Sequence, residues 1–215
     1  MGGLWVDYER SADGGLRVGS PRNHQTNVPG IFAIGECDYQ YHGANRLGAN
    51  SLVACIFSGL VVAPGIVAML GSLPRGSAAE QPSPLFDRAF LDHQVRYKEL
   101  LARGDGESPY LLHRQLGRVM TRAATVVRHN DDLDKAYGEV RDLEERARRC
   151  ALSDTGSWTN QNAIFTRAFV DMLPLAKTIL KGARARDECR GAHYKPEFAL
   201  PDLKAADPAE RRREA

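Results

Sequence analysis

The sequence predicts an α+β protein in two parts, the end of an α/β domain followed by an all-α helical bundle. Three observations carry this prediction. Residues 1–70 alternate short apolar runs with turn clusters and close on one long apolar stretch. Residues 71–84 shift to Gly, Ser, Pro and Ala, the composition of a linker. Residues 85–198 then repeat apolar side chains at helical spacing, and residues 199–215 form a charged, Ala-rich tail. With 215 residues the chain can bury a real core, and 43% hydrophobic residues suit a soluble globular protein. Twenty-nine basic against 27 acidic residues give no basic excess, which argues against a charge-driven nucleic-acid reader. The cysteines at 37, 55, 150 and 189 form no C-x-x-C pair or metal-ligand spacing, so no metal site is expected. Scattered free thiols suit a reducing compartment, and Met1-Gly2-Gly3-Leu4-Trp5 shows no basic n-region followed by an apolar h-region, which argues against a signal peptide.

In chain order, Leu4-Trp5-Val6 and Leu16-Arg17-Val18 flank the turn-rich Ser11-Ala12-Asp13-Gly14-Gly15, the pattern of a β-hairpin. After the turn Val28-Pro29-Gly30, the run Ile31-Phe32-Ala33-Ile34 reads as a short buried strand ending at Gly35. A polar, Gly-rich loop spans Glu36 to Asn50. A helix then begins at about Ser51, whose hydroxyl suits a helix N-terminus. No charge occurs between Leu52 and Leu70, which approaches the length of a membrane span. Ser58, Gly59, Pro64 and Gly65 favour instead a buried helix, hydrophobic all round and kinked or broken at Pro64. Four apolar stripes follow. They are Phe86, Phe90, Tyr97 and Leu101; then Leu112, Leu116, Val119, Met120, Ala123 and Val127; then Leu133, Tyr137, Val140, Leu143, Ala147 and Cys150; then Ile164 to Leu180 through Phe165, Phe169, Met172, Leu175 and Ile179. Asn130 or Asp131 would cap the third helix and Asn160 the fourth, with a kink at Pro174.

The chemistry concentrates between strand and helix, in Gly35-Glu36-Cys37-Asp38-Tyr39-Gln40-Tyr41-His42-Gly43-Ala44-Asn45-Arg46-Leu47-Gly48-Ala49-Asn50-Ser51-Leu52. Strand, loop and helix N-terminus form a common cradle for anionic groups. The bland alternative is an exposed loop of satisfied turn residues. His24, His93 and His113 have no partner at metal spacing and read as surface or core histidines.

This loop resembles the FAD-contacting signature of the succinate dehydrogenase and fumarate reductase flavoprotein subunits, a family that includes L-aspartate oxidase. Met1-Gly2-Gly3 is similar to the family's Met-Gly-Gly turn, and Val28-Pro29-Gly30-Ile31-Phe32-Ala33-Ile34-Gly35-Glu36 to its last FAD-domain strand. His42-Gly43-Ala44-Asn45-Arg46-Leu47-Gly48-Ala49-Asn50-Ser51-Leu52 is its most specific motif. Val126-Val127-Arg128-His129, Asn160-Gln161 and Glu188-Cys189-Arg190-Gly191-Ala192-His193-Tyr194 resemble its helical domain. The short spacing from Glu36 to His42 is most like bacterial menaquinone-linked succinate dehydrogenases; aspartate oxidases usually have one more residue there.

The resemblance implies FAD as cofactor, succinate and fumarate as substrates, and hydride transfer to flavin. It implies that Glu36 accepts hydrogen bonds from the FAD ribose, and that Arg46 forks onto a substrate carboxylate with help from the Ala49 backbone. Ser51 and Leu52 would hold negative charge at the flavin through their amides and the helix dipole. His42 and Asn50 would line the site. No G-x-G-x-x-G follows a strand here. The family's flavin-linking histidine, proton-shuttling arginine and substrate histidine would all precede Met1. The chain is thus expected to be a C-terminal fragment holding no catalytic residue and inactive alone. Implied partners are an iron-sulfur subunit and a membrane anchor, at the cytoplasmic face of a bacterial inner membrane, and no nucleic acid. The alternatives are an L-aspartate oxidase-like fragment and a non-catalytic helical interaction module.

Overall fold

Wherever apolar residues recur every three or four positions, the chain is helical. The computed structural model describes residues 3–38, 40–76 and 81–199, the side chain of Tyr41 excepted. Its helices are α1 (Asn50–Ser72), α2 (Ser83–Ala102), α3 (Pro109–Ala124), α4 (Asn130–Ala147) and α5 (Gln161–Ala185). Short 3-10 turns occur at Gly35–Cys37, Gln40–His42 and Pro196–Phe198. Two units divide between Phe86 and Asp87. The expected tail, beyond Ala199, lies outside the described residues, as do positions 77–80 of the expected linker.

In the second unit α3, α4 and α5 pack on one another around a single apolar core. Leu112, Leu116, Val119 and Ala123 face inward from α3, and Leu133, Val140, Leu143 and Ala147 from α4, with Cys150 just beyond, as the stripes predict. Pro109 opens α3, where its missing N–H costs nothing. Asn160 caps α5 as expected, its Oδ1 accepting from Ala163 N at 2.9 Å. Three expectations change. The residue at the N-cap of α4 is His129, not Asn130 or Asp131, and it makes no side-chain capping bond. α5 buries Ala163, Thr166, Phe169, Leu173, Ala176, Leu180 and Ala183, leaving Ile164, Leu175 and Ile179 largely exposed on a second stripe. The α2 stripe buries nothing: Phe86, Phe90 and Tyr97 are exposed, and only Leu100 leans on the core.

The first unit, which precedes the predicted bundle in the chain, has no named strands among the described residues. Its pairings among the described residues are isolated bridges, Leu4 to Asp38 (parallel), Arg10 to Leu16 and Gln25 to Phe32 (antiparallel). The hairpin turn at Ser11–Gly15 does close, with Ser11 N donating to Gly15 O at 2.8 Å. Leu4–Val6, however, does not pair with Leu16–Val18, because Leu4 N donates instead to Cys37 O at 2.7 Å. The run Ile31–Ile34 makes one bridge and keeps Ile31 and Ile34 exposed, so it is not a buried strand. Strands need neighbours along a ladder, and these residues supply single bridges only.

Helix α1 runs on through Pro64, so of the expected kink or break the break does not occur. Gly65 lets it approach the loop at Ser20, where a Cβ would stand 2.4 Å from the Ser20 carbonyl oxygen. Ala54, Ser58, Val61, Val62 and Gly65 are buried along that side. The helix is apolar all round as expected but buried on one side only, with Leu52, Ile56, Leu60 and Val67 exposed on the rest of its surface. By length and composition alone α1 could cross a bilayer.

Candidate functional site

The loop from Gly35 to Leu52 returns onto the helix it leads into. Gly35 takes φ 71°, and a Cβ there would meet Cys55 Sγ at 3.2 Å, so both conformation and closeness require glycine. The turn Gly35–Cys37 thereby seats on α1 one turn beyond its start. Glu36, at the centre of that turn, is exposed and has no hydrogen-bond or ionic partner among the described residues. Its carboxylate is a free acceptor.

The N-terminus of α1 is equally open. Ala49 occupies the N-cap at φ 60°, in the left-handed region, and has no side chain with which to cap. Ser51 does not cap the helix as its hydroxyl suggested; its Oγ accepts from Arg46 Nη1 at 3.1 Å. The first-turn amides of Ser51 and Leu52 therefore carry the positive end of the helix dipole with no side-chain cap. Arg46 is exposed and pairs with no acidic side chain among the described residues, which leaves most of its fork for a ligand. His42 Nδ1 and Gln40 Oε1 are buried atoms without hydrogen-bond partners among the described residues. Orphaned buried polar atoms are uncommon and point to a missing partner.

Of the residues the sequence singles out, Arg46, Ala49, Asn50, Ser51 and Leu52 come together at the head of α1. Glu36 is held against the same helix near Cys55, with no hydrogen bond to Arg46. Among the described residues no group of three or more histidine, cysteine or carboxylate side chains could hold a metal ion. Sequence reading gave no role to a buried cluster beneath the loop, in which the Tyr8 hydroxyl donates to Asp38 Oδ2 at 2.6 Å with His24 Nδ1 3.2 Å from the same oxygen. Separations of 16 and 14 positions leave no local pattern to find.

His193 is tied into the helical unit by two hydrogen bonds. Arg128 Nη1 donates to His193 Nδ1 at 2.6 Å, and His193 Nε2 donates to the Arg186 carbonyl at 2.9 Å. These bonds stand beside the bridge from Val127 to Tyr194. Burial, with the charges of Arg128, Arg186 and Lys195 adding to it, pushes the imidazole below its ordinary pKa, and the bond to Arg186 only partly opposes this. Beside it Lys195 is wholly buried, donating to Asp187 at 2.9 Å and to the Arg184 carbonyl at 3.1 Å.

Comparison with known proteins converges on one group. Residues 1–52 match a family model described as FAD binding domain, and residues 113–210 one described as fumarate reductase flavoprotein C-term. The chain is 44% identical over 198 residues to the succinate dehydrogenase flavoprotein subunit of Bacillus subtilis, covering 92% of this chain and 31% of that protein. It is 31% identical over 194 residues to the L-aspartate oxidase of Streptomyces coelicolor, covering 89% and 30%. Among solved structures, a quinol-fumarate reductase with menaquinol molecules superimposes with a TM-score of 0.71 at 28% identity, over 84% of this chain and 30% of that one. The chain spans about a third of the length of the relatives it matches.

Proposed function

We propose an FAD-dependent role in dicarboxylate oxidation, and its premise is kinship: this chain belongs to the family of succinate dehydrogenase and fumarate reductase flavoprotein subunits. That family consists of FAD-dependent oxidoreductases. Our reading is that these residues form the part of the flavoprotein that grips succinate and one side of the flavin while succinate is oxidised to fumarate. The greater identity to a succinate dehydrogenase than to an aspartate oxidase favours this substrate.

The residues present fit FAD. Glu36 offers a free carboxylate for a ribose hydroxyl, and the buried orphans His42 Nδ1 and Gln40 Oε1 await a partner. FAD, when bound, would supply the acceptor for a hydride, which carries both electrons of the oxidation. What the chain adds is position and charge. The amides of Ser51 and Leu52, at an uncapped helix head, hold negative charge at the flavin ring. Arg46, steadied by Ser51, orients one substrate carboxylate through two parallel hydrogen bonds, and the Ala49 backbone steadies the same group. Asn50 and His42 line the site. In the assembled enzyme electrons pass to an iron-sulfur subunit and quinone, with the flavoprotein peripheral on the cytoplasmic face of the membrane. The kinship with quinol-linked complexes supports that placement.

The observation that carries this reading is Arg46, an exposed guanidinium without an acidic partner, hydrogen-bonded to the first turn of an uncapped helix. Arg46→Lys in the flavoprotein keeps the charge and loses the fork. Succinate turnover should fall more than about tenfold, a loss of at least ~1.4 kcal/mol in transition-state stabilisation, while FAD content stays at wild type. Retention of more than about a tenth of the rate overturns the role of Arg46.

A further inference from the structure

One buried acid beneath the candidate site has no role in the reading above. Asp38 and His24 are both fully buried, and a buried carboxylate is costly unless hydrogen bonds satisfy it. They do. Oδ2 accepts from the Tyr8 hydroxyl at 2.6 Å and Oδ1 from Gln40 N at 3.1 Å, while His24 Nδ1 lies 3.2 Å from Oδ2. The Ala33 carbonyl oxygen is also 3.2 Å from Nδ1. Carbonyls and carboxylates only accept, so Nδ1 carries the ring hydrogen. Tyr8 stands edge-on to the imidazole, with centroids 5.0 Å apart.

The three side chains come from separate stretches, and backbone bonds flank each of them. Leu4 N donates to Cys37 O at 2.7 Å, His24 N to Asp7 O at 2.9 Å and Ala33 N to His24 O at 3.0 Å. His24 itself stands at φ 62°, a left-handed backbone that a side chain adopts only where surrounding contacts hold it. Ala33 and Asp38 are thus tied to the same point, and Glu36 lies on the turn between them. Apolar side chains of similar volume would stabilise this spot at least as well. What a directed network adds is a single orientation.

The geometry points to Tyr8, Asp38 and His24 as a buried clasp that positions the Glu36 turn for FAD, making them positioning residues of the cofactor site. This rests on the reading of Glu36 as the ribose acceptor. The clasp acts through backbone, since Asp38 and Glu36 are two residues apart and share no side-chain bond.

The test is a double-mutant cycle on FAD affinity, measured by titrating with FAD an apo-flavoprotein whose flavin-linking histidine is replaced so that binding stays reversible. Tyr8→Phe removes one hydroxyl and keeps the ring; it should raise the FAD Kd about tenfold, the scale of a lost hydrogen bond to a charged group. Glu36→Ala should raise it at least as much, and the double variant no further than Glu36→Ala alone, because one acts through the other. A merely structural role would make the effects add. Additive effects, or a Tyr8→Phe protein with wild-type affinity beside a weakened Glu36→Ala, overturn the clasp. Wild-type affinity in Glu36→Ala overturns the ribose reading and the positioning role with it, and faster amide exchange at Leu4 and Asp38 in Tyr8→Phe then marks the ribose step as the one that failed. If Tyr8→Phe does not fold, Asp38→Asn takes its place in the same cycle, with the same outcomes.

Discussion

In the helical unit fifteen buried residues from α3, α4, α5 and their flanks form one apolar cluster, and all but Cys150 are plain hydrocarbon side chains. Beside that cluster the helical unit buries four polar residues, Asn160, Thr166, His193 and Lys195, whereas in the unit before it, among the described residues, Val6, Ala33, Ala54, Val61 and Val62 are matched by as many buried polar ones: Ser20, Asn23, His24, Asp38 and Ser58. Apolar packing tolerates some rearrangement. Directed hydrogen bonds do not, since each needs its partner at its own distance and angle. The comparison teaches that the stability of this chain and the shape of its candidate site have different sources. The first lies in side chains that touch no ligand, the second in a polar scaffold that holds a loop.

The strongest way to sharpen this contrast is Phe169→Ala, which empties a fully buried position in the bundle. We expect a loss of about 3–5 kcal/mol, read from urea unfolding followed by helical circular dichroism, with the amides of Leu4, His24 and Ala33 exchanging as before. Faster exchange at those amides would show that the units share one cooperative transition. Next comes Asn23→Ala in the polar scaffold. Asn23 Oδ1 accepts from Glu9 N at 3.0 Å and its Nδ2 donates to the Arg17 carbonyl at 2.9 Å. Leaving both groups unpaired should cost about 1–3 kcal/mol each at most, and should quicken exchange in the first unit while α3 to α5 stay protected.

A smaller and signed effect concerns acid. His193 and His24 are both held below the ordinary histidine pKa, mainly by burial. The folded chain keeps them neutral where the unfolded chain, with a pKa near ~6.5, takes up protons. Their contribution is therefore present above that pH and lost as the pH falls below it. The exposed His129, paired with Glu197 and raised, works in the opposite direction. The urea midpoint should drop between about pH 7.5 and about pH 5, and His193→Gln, which can keep both hydrogen bonds, should drop less. An unchanged difference would remove His193 from the cause. Smallest of all, Leu60→Glu on α1 should alter unfolding by within about 0.5 kcal/mol, because that side chain is 70% exposed.

The bundle was legible where burial and periodicity agree. Leu112, Leu116, Leu133 and Val140 sit at helical spacing and are all buried. It was misread where a helix carries two apolar stripes. Ile164, Leu175 and Ile179 are larger than Ala163, Ala176 and Ala183, yet the small residues lie inward, because close approach to α3 and α4 selects size as well as polarity. In the first unit the motif residues could be named from the loop, but not the absence of ladders, which depends on what pairs with each edge. The Tyr8, His24 and Asp38 cluster was invisible for the same reason: it is defined by three chain segments meeting, and nothing in any one segment announces it.

One dihedral angle has a consequence for how sharply the site is defined. A side chain at φ 60° costs about 1–2 kcal/mol against the right-handed region, and Ala49 pays this at the head of α1. Glycine would release that strain but gives the unfolded chain more freedom, by about 0.4–1 kcal/mol, so Ala49→Gly should raise the melting temperature by no more than a few degrees. Its effect on the site would lie in the width of a distribution and not in its mean. The methyl group narrows the directions in which the Ser51 and Leu52 amides can point, and removing it should broaden their nuclear magnetic resonance lines while the average structure stays in place. Precision at this helix head is then a property that a thermal melt would never register.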